Sequence, residues 1–177
     1  ARLGAHRAAI DCYRRAMGLL APLPADTQTK ETELALDMAL DFSLQHALGW
    51  GASDRVQTFE RGYALGRELG WNTPARLYAL LRGADLFAAR GDYHRAVELG
   101  DELLGAAERA EEGLYVAGAH IVLGRCHLLQ GEVICAWEHL SHGAVRQLEA
   151  RTGPEAGLVQ SLRLHADLHA SYALLGL

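Results

Sequence analysis

Hydrophobic and polar positions follow a helical period through most of the chain. Apolar residues recur at steps of three and four, whereas alternation at every second position is almost absent. Short polar or glycine-containing breaks divide the pattern into about eight helices, and connections this short make neighbouring helices antiparallel. The pattern therefore predicts an all-α fold.

Several helix ends can be read directly from local residues. The segment 21–26 (APLPAD) ends the first helix, and the second helix is predicted over about 29–48. Ser53 is predicted to cap the third helix. Thr73 is predicted to be the N-cap of the fourth helix. Pro74 suits the first helical position, because the N–H that proline lacks has no partner within the helix there.

Two stretches of the sequence repeat one pattern. Residues 87–100 read FAARGDYHRAVELG and residues 127–140 read HLLQGEVICAWEHL. In each, a glycine followed by an acid, at Gly91 and at Gly131, separates two apolar helical segments. Further glycines at 4, 51 and 176 give comparable intervals, so all five are predicted corners. A helix–turn–helix unit that recurs in this way is typical of a helical solenoid.

Small residues recur with the corners. Ala84 and Gly124 each stand seven positions before their corner glycine, and Ala96 and Ala136 each stand five after it. Larger side chains at these places would push two packed helices apart. We therefore expect all four to lie where the helices of one hairpin approach most closely.

These residues resemble the tetratricopeptide repeat, most clearly over 77–109 and 117–150. The phrases YRRAMGLLAPLP, ELALDMALDFSLQ and ARGDYHRAVELGDELL are similar to the repeat region of large bacterial signal-transduction ATPase regulators, of LuxR type or linked to nucleotide cyclases. The resemblance implies a right-handed α–α superhelix and a single repeat domain over residues 1–177. That domain would begin and end on half repeats, leaving apolar ends that self-association or the rest of a longer protein would cover.

Composition narrows the partners and the compartment. The net charge is −5, and a nucleic-acid partner would call for a basic excess. No apolar run approaches the ~20 residues that span a bilayer, so no membrane association is expected. Cys12, Cys126 and Cys135 are an odd number without paired spacing, which predicts three buried thiols in a reducing compartment, the cytoplasm.

Motifs for catalysis are missing from the sequence. A phosphate-binding loop needs Gly-Lys-Ser/Thr, but the single lysine, Lys30, lies between Thr29 and Glu31. No G-x-S-x-G or H-E-x-x-H segment occurs either. We therefore expect no enzyme activity and no cofactor.

Histidines and tryptophans allow two interpretations each. The pairs His139/His142 and His165/His169 have helical spacing suited to metal ligands, yet neither has an obvious third ligand, so a structural role is favoured. Three tryptophans fit the core or the corners better than a stacking platform for bases, because the basic residues that such a platform needs are not near them: Trp50, Trp71 and Trp137.

If the chain has a binding site, the resemblance places it on the concave face lined by the first helix of each repeat. The candidate contacts for a partner or ligand are Tyr78, Arg82, Asp85, Arg125, Arg163 and Asp167, with Leu81, Ile121, Val122 and Leu129 on the same stripe. Asp85 and Arg125 hold matching places in adjacent repeats, so they either pair with each other or contact a ligand.

Two functions fit this sequence. The first is a non-catalytic interaction or regulatory domain of a bacterial transcriptional or signalling regulator, which binds a protein, a peptide or other domains of its parent chain. The alternative is a sensor domain that holds a small-molecule inducer in the concave groove. An open groove would favour the first, and a closed pocket along Tyr78, Arg82 and Arg125 would favour the second.

Overall fold

The computed structural model describes the backbone of residues 2–149 and the side chains of residues 4–143. This part of the chain contains seven α-helices and no strand, which confirms the all-α prediction. The predicted eighth helix, near residues 154–175, lies outside the described residues. Within them, no helix is both long and apolar enough to cross a bilayer. The chain divides into two compact units between Trp71 and Asn72.

The first unit contains three helices, α1 (Arg2–Leu20), α2 (Thr27–Leu48) and α3 (Ser53–Leu69). Helix α2 packs against both of the others. Asp26 caps α2 by accepting a hydrogen bond from the Thr29 amide at 2.8 Å. The helix therefore begins two residues before the predicted start at 29.

Two sequence predictions for the first unit are wrong. Gly4, a predicted corner, lies inside α1, where an added Cβ would meet nothing within 4 Å. Ser53 is the first residue of α3 and not its cap, because Ala52 already has the extended backbone of an N-cap residue. The connection instead turns at Gly49, whose φ of 101° favours glycine.

Apolar contacts between α1 and α2 form the core of the first unit. Ile10, Leu40 and Leu44 are buried there. Partly buried side chains surround them: Tyr13, Met17 and Ala47. Burial of aliphatic side chains of this size contributes roughly 1.5–3 kcal/mol each.

The second unit contains α4 (Pro74–Ala89), α5 (Tyr93–Arg109), α6 (Gly113–Leu129) and α7 (Val133–Glu149). Each helix packs against the next one along the chain, and α4 also contacts α6. The Thr73 side chain accepts a hydrogen bond from the Arg76 amide at 3.4 Å, and Pro74 occupies the first turn, as predicted.

The corners within this unit share one backbone geometry. Gly91 has a φ of 79° and Gly131 a φ of 83°, values that a side chain would strain. At both corners the amide of the following acid bonds back to the preceding helix, Asp92 to the Phe87 carbonyl at 3.0 Å and Glu132 to the His127 carbonyl at 2.9 Å. The two predicted corners are confirmed.

The third corner of this unit, between α5 and α6, has the same geometry without a glycine. Glu111 has a φ of 56°, and the next amide bonds back to the Ala107 carbonyl at 2.9 Å. A non-glycine residue in this region costs on the order of 1 kcal/mol. The fold therefore makes this corner without the glycine that marks the other two.

The four small residues predicted to lie at helix contacts are buried or closely packed. Ala84, Ala96 and Ala136 are fully buried, each with 0% exposure. A Cβ on Gly124 would lie 2.7 Å from Leu140 Cγ and 3.1 Å from the Ala136 carbonyl oxygen. Helices α6 and α7 therefore touch at this glycine, and the predicted close approach is confirmed there.

Candidate binding face of helices α4 and α6

The predicted contact residues of the second unit lie on α4 and α6. Tyr78, Arg82 and Asp85 stand on α4 at steps of four and three, so they share one face. Tyr78 and Arg82 are half-buried. Arg163 and Asp167, the remaining candidates, lie outside the described residues.

Asp85 and Arg125 come together across the two helices. The Arg125 guanidinium donates from Nη2 to Asp85 Oδ1, and the side chains are only 14% and 17% exposed. Of the two interpretations left open for these residues, the geometry favours the pair. Their charges satisfy each other, so a ligand would have to compete with an existing ion pair.

Three apolar residues predicted for the same open stripe are buried instead. Leu81 is 2% exposed, and Ile121 and Val122 are each 1% exposed. For Ile121 the reason is visible at α7, where a Cβ on Gly143 would lie 3.1 Å from Ile121 Cγ1. Helix α7 thus covers a side of α6 that the repeat pattern had assigned to the groove.

Four histidines meet between α6 and α7. His120 Nδ1 lies 3.0 Å from His139 Nδ1, so one ring donates a hydrogen bond to the other. The rings of His120 and His142 contact edge to face, and those of His127 and His139 stack, with centroids 5.3 and 5.4 Å apart. His127 Nδ1 also lies 2.5 Å from an oxygen of Glu132.

Electrostatics of this histidine cluster keep His139 neutral to lower pH than usual. Burial lowers the pKa of His139, and the neighbouring His127 and His142 lower it further, while Asp101 and Glu138 act in the opposite direction. Among the described residues, no group of three or more His, Cys, Asp or Glu side chains is placed to hold a metal ion. The pair His165/His169 lies outside the described part.

Two ion pairs that involve buried acids in the first unit were not predicted from the sequence. Arg55 has 0% exposure and donates to both oxygens of Asp41, at 2.6 and 3.0 Å, and to the Trp50 carbonyl. Asp37 is buried too and accepts from Arg61. Burial raises the pKa of the Asp37 carboxyl, and the Arg61 hydrogen bonds oppose that rise.

A signal for these acids was present in α2. Asp37 and Asp41 are four residues apart in the segment ELALDMALDF, on the same helical face as the buried Leu34, Leu40 and Leu44. A buried carboxylate on an apolar face needs a cationic partner, because an unpaired buried charge is costly. The sequence showed that need but not the identity of Arg55 and Arg61.

Predictions for tryptophan and cysteine are confirmed in part. Trp71 covers Gly66, whose added Cβ would lie 1.9 Å from the indole ring, so it is a corner plug. Trp137 is 44% exposed and is not a core residue. Of the three cysteines predicted to be buried, only Cys126 is, whereas Cys12 and Cys135 are exposed.

Helix α7 exposes a group of large apolar side chains. Val133 is 45%, Ile134 77% and Trp137 44% exposed. Steps of three and four place them on one side of the helix, and we call them the α7 apolar surface. The sequence favoured no binding role for any of these residues.

Comparison with known proteins identifies no relative: no protein-family model, no curated protein and no solved structure matches the chain. The tetratricopeptide resemblance therefore rests on the sequence pattern of this chain. Function has to be inferred from that pattern and from the packing of the helices.

Proposed function

We propose that this chain is a non-catalytic repeat domain that binds a protein or peptide within a bacterial transcriptional or signalling regulator in the cytoplasm. Its four helices from α4 to α7 would belong to a right-handed α–α superhelix of tetratricopeptide type. The observation that carries the proposal is the contact between Asp85 and Arg125, which joins equivalent positions of successive hairpins. Stacking of this kind builds one continuous face from the first helices of the repeats.

That face suits a macromolecular partner. Tyr78 and Arg82 are half-buried beside the Asp85–Arg125 pair, which holds α4 and α6 in register. Tyrosine and arginine are frequent anchors of protein interfaces, since each combines a large contact area with a polar group. In the parent protein the partner would be another protein or a domain of the same chain.

The alternative, an inducer-binding sensor, has less support. It called for a closed pocket along Tyr78, Arg82 and Arg125, in which an arginine would hold the ligand. Arg125 is instead engaged by Asp85, with both side chains largely shielded from solvent. A ligand carboxylate would gain little there, because it would replace an ion pair that already exists.

A photo-crosslinking experiment tests the proposed function. Benzoylphenylalanine replaces Tyr78 in the parent protein inside bacterial cells, and Tyr93, another half-buried tyrosine of the same unit, serves as the matched control. We expect a discrete protein adduct, or an intramolecular one, from position 78 only. Equal labelling at both positions would contradict the proposal. So would the absence of any adduct combined with a small molecule that raises the melting temperature.

A further inference from the structure

Ile134, the most exposed residue of the α7 apolar surface, lies at a position that a following helix would leave open. Its repeat register can be read from the corners, since Gly91 and Gly131 match and Ile134 therefore corresponds to His94. The His94 side chain is 86% exposed, although α6 packs against α5. Packing by a following helix thus leaves this position open, and repeat stacking does not explain an isoleucine there.

The charged residues at matching positions also differ between α5 and α7. On α5, Glu98 is engaged by Arg95 at 3.0 Å and lies 3.4 Å from the His94 ring. On α7 the matching residues are Glu138, Cys135 and Ile134, so both basic partners are replaced while the acid stays. The exposed Glu138 lies next to Trp137 in the chain.

The chain segment that contains this surface carries acids but no lysine or arginine. From Cys126 to Gly143 the chain has two glutamates, Glu132 and Glu138, and no lysine or arginine. Glu132 immediately precedes α7 and its side chain is 54% exposed. An apolar strip with acids beside it complements a helix that has an apolar face and basic flanks.

We propose that the α7 apolar surface binds a basic amphipathic helix of a partner protein, with Ile134 and Trp137 as the apolar anchors and Glu138 as the electrostatic contact. This proposal goes beyond the proposed function, whose binding face lies on α4 and α6. Exposed tryptophan that becomes buried in an interface accounts for a large share of binding energy. Glu138 contributes chiefly to orientation and association rate.

A synthetic helical peptide with leucine on one face and lysine on its flanks is the probe. Its twin carries glutamate in place of lysine. Binding of the labelled peptides to the whole chain is followed by fluorescence anisotropy at low and at high salt. We expect the basic peptide to bind, binding to weaken as salt rises, and the acidic twin to bind at least ~10-fold more weakly.

Substitutions locate the binding site. Trp137→Ala should lower the affinity for the basic peptide ~10-fold or more, and Ile134→Ala should lower it several-fold. Leu19→Ala is the matched control for Ile134→Ala, because Leu19 is 75% exposed and lies in the first unit. Glu138→Gln should weaken binding at low salt only, whereas Glu108→Gln, at another exposed glutamate of the second unit, should have no effect.

Three results would overturn the proposal. The first is equal binding of both peptides. The second is a wild-type dimer that Trp137→Ala dissociates, which would assign the surface to a second copy of the chain. The third is a wild-type chain that binds neither peptide and whose melting temperature falls with Trp137→Ala, which would show that the surface is covered from within. A discrete adduct at Tyr78 alongside any of them would leave the proposed function standing.

Discussion

Arg125 on α6 donates a hydrogen bond to Asp85 on α4, and the two residues are separated by 40 positions in the chain. They occupy equivalent places in successive hairpins, so the contact ties one hairpin to the next. Because each side chain is less than a fifth exposed, neither group can recover full hydration if the other is removed.

Arg125→Ala should therefore destabilise the second unit by about 1–3 kcal/mol, the range expected when a largely buried charge loses its partner. The free energy of unfolding from urea denaturation is the measurement. Arg95→Ala is the control, since Arg95 and Glu98 form an exposed i,i+3 pair on α5 and its loss should cost about 0.5 kcal/mol or less. A double-mutant cycle with Asp85→Ala should give a coupling energy above ~0.5 kcal/mol, and additivity would mean that the pair does not hold the hairpins together.

Contacts between helices could be predicted only where the sequence pattern around Gly91 recurs around Gly131. The register between Gly91 and Gly131 was enough to make Asp85 and Arg125 expected neighbours, because equivalent positions of stacked hairpins lie side by side. No such register covers the first unit, and there the Arg55–Asp41 pair was missed. Which helix faces meet is a tertiary property that a local pattern does not contain.

Helix ends could be predicted only where a residue with a local backbone preference marks them. Thr73, Gly91 and Gly131 were predicted because capping and positive φ are local requirements of the backbone. The corner at Glu111 carries no such local signal, since glutamate has no preference for the conformation it adopts there. The contacts of His120 and His127 with His139 could not be predicted from the sequence, because they depend on the rotational orientation of α6 relative to α7.

Gly124→Ala should destabilise the second unit by about 1–3 kcal/mol. The new methyl group would lie 2.7 Å from Leu140 Cγ, and Leu140 has nowhere to move because it is 1% exposed. Gly105→Ala is the matched control in the middle of α5, where the neighbouring atom is the mobile end of Arg109 at 3.3 Å. The free energy of unfolding of that variant should rise by about 0.5–1 kcal/mol, because alanine has a higher helix propensity than glycine. Equal effects in denaturation experiments would show that α6 and α7 do not touch at Gly124.

Arg55→Met should destabilise the first unit strongly, by about 3–5 kcal/mol, because it leaves Asp41 buried without its cation. The double variant Arg55→Met with Asp41→Leu should recover much of the loss, since an apolar pair needs no hydrogen bonds. Arg14→Met is the control. Arg14 and Asp54 form an ion pair with both side chains about half exposed, and its removal should change the unfolding free energy by less than about 1 kcal/mol. An unchanged stability in Arg55→Met would rule out the buried pair.

Acid should weaken the contact between α6 and α7 through His139. The folded-state pKa of His139 is lowered by burial, then by His127 and His142, so the unfolded chain binds a proton more readily. The stabilisation is complete above the ordinary histidine pKa near 6.5 and is lost as the pH falls through the lower folded value. The melting temperature of wild type should therefore fall from pH 7.5 to 5.5 more steeply than that of His139→Gln. His94→Gln, at a side chain that is 86% exposed, should follow the wild-type curve.

Thiol chemistry should separate Cys126 from the two other cysteines. Burial raises the pKa of Cys126 to about 11, with Asp85 adding to the rise and Arg125 opposing it, while Cys12 and Cys135 are exposed. Because the thiolate is the reactive form, an aromatic disulfide reagent at pH 8 should modify two thiols quickly in the native chain and the third only on unfolding. Mass spectrometry of the labelled peptides identifies which thiol is protected. Arg125→Ala should make Cys126 react sooner, because loosening the α4–α6 contact opens the site more often, whereas Arg95→Ala should not. Rapid labelling of Cys126 in the native wild type would contradict the close packing of α6 against its neighbours.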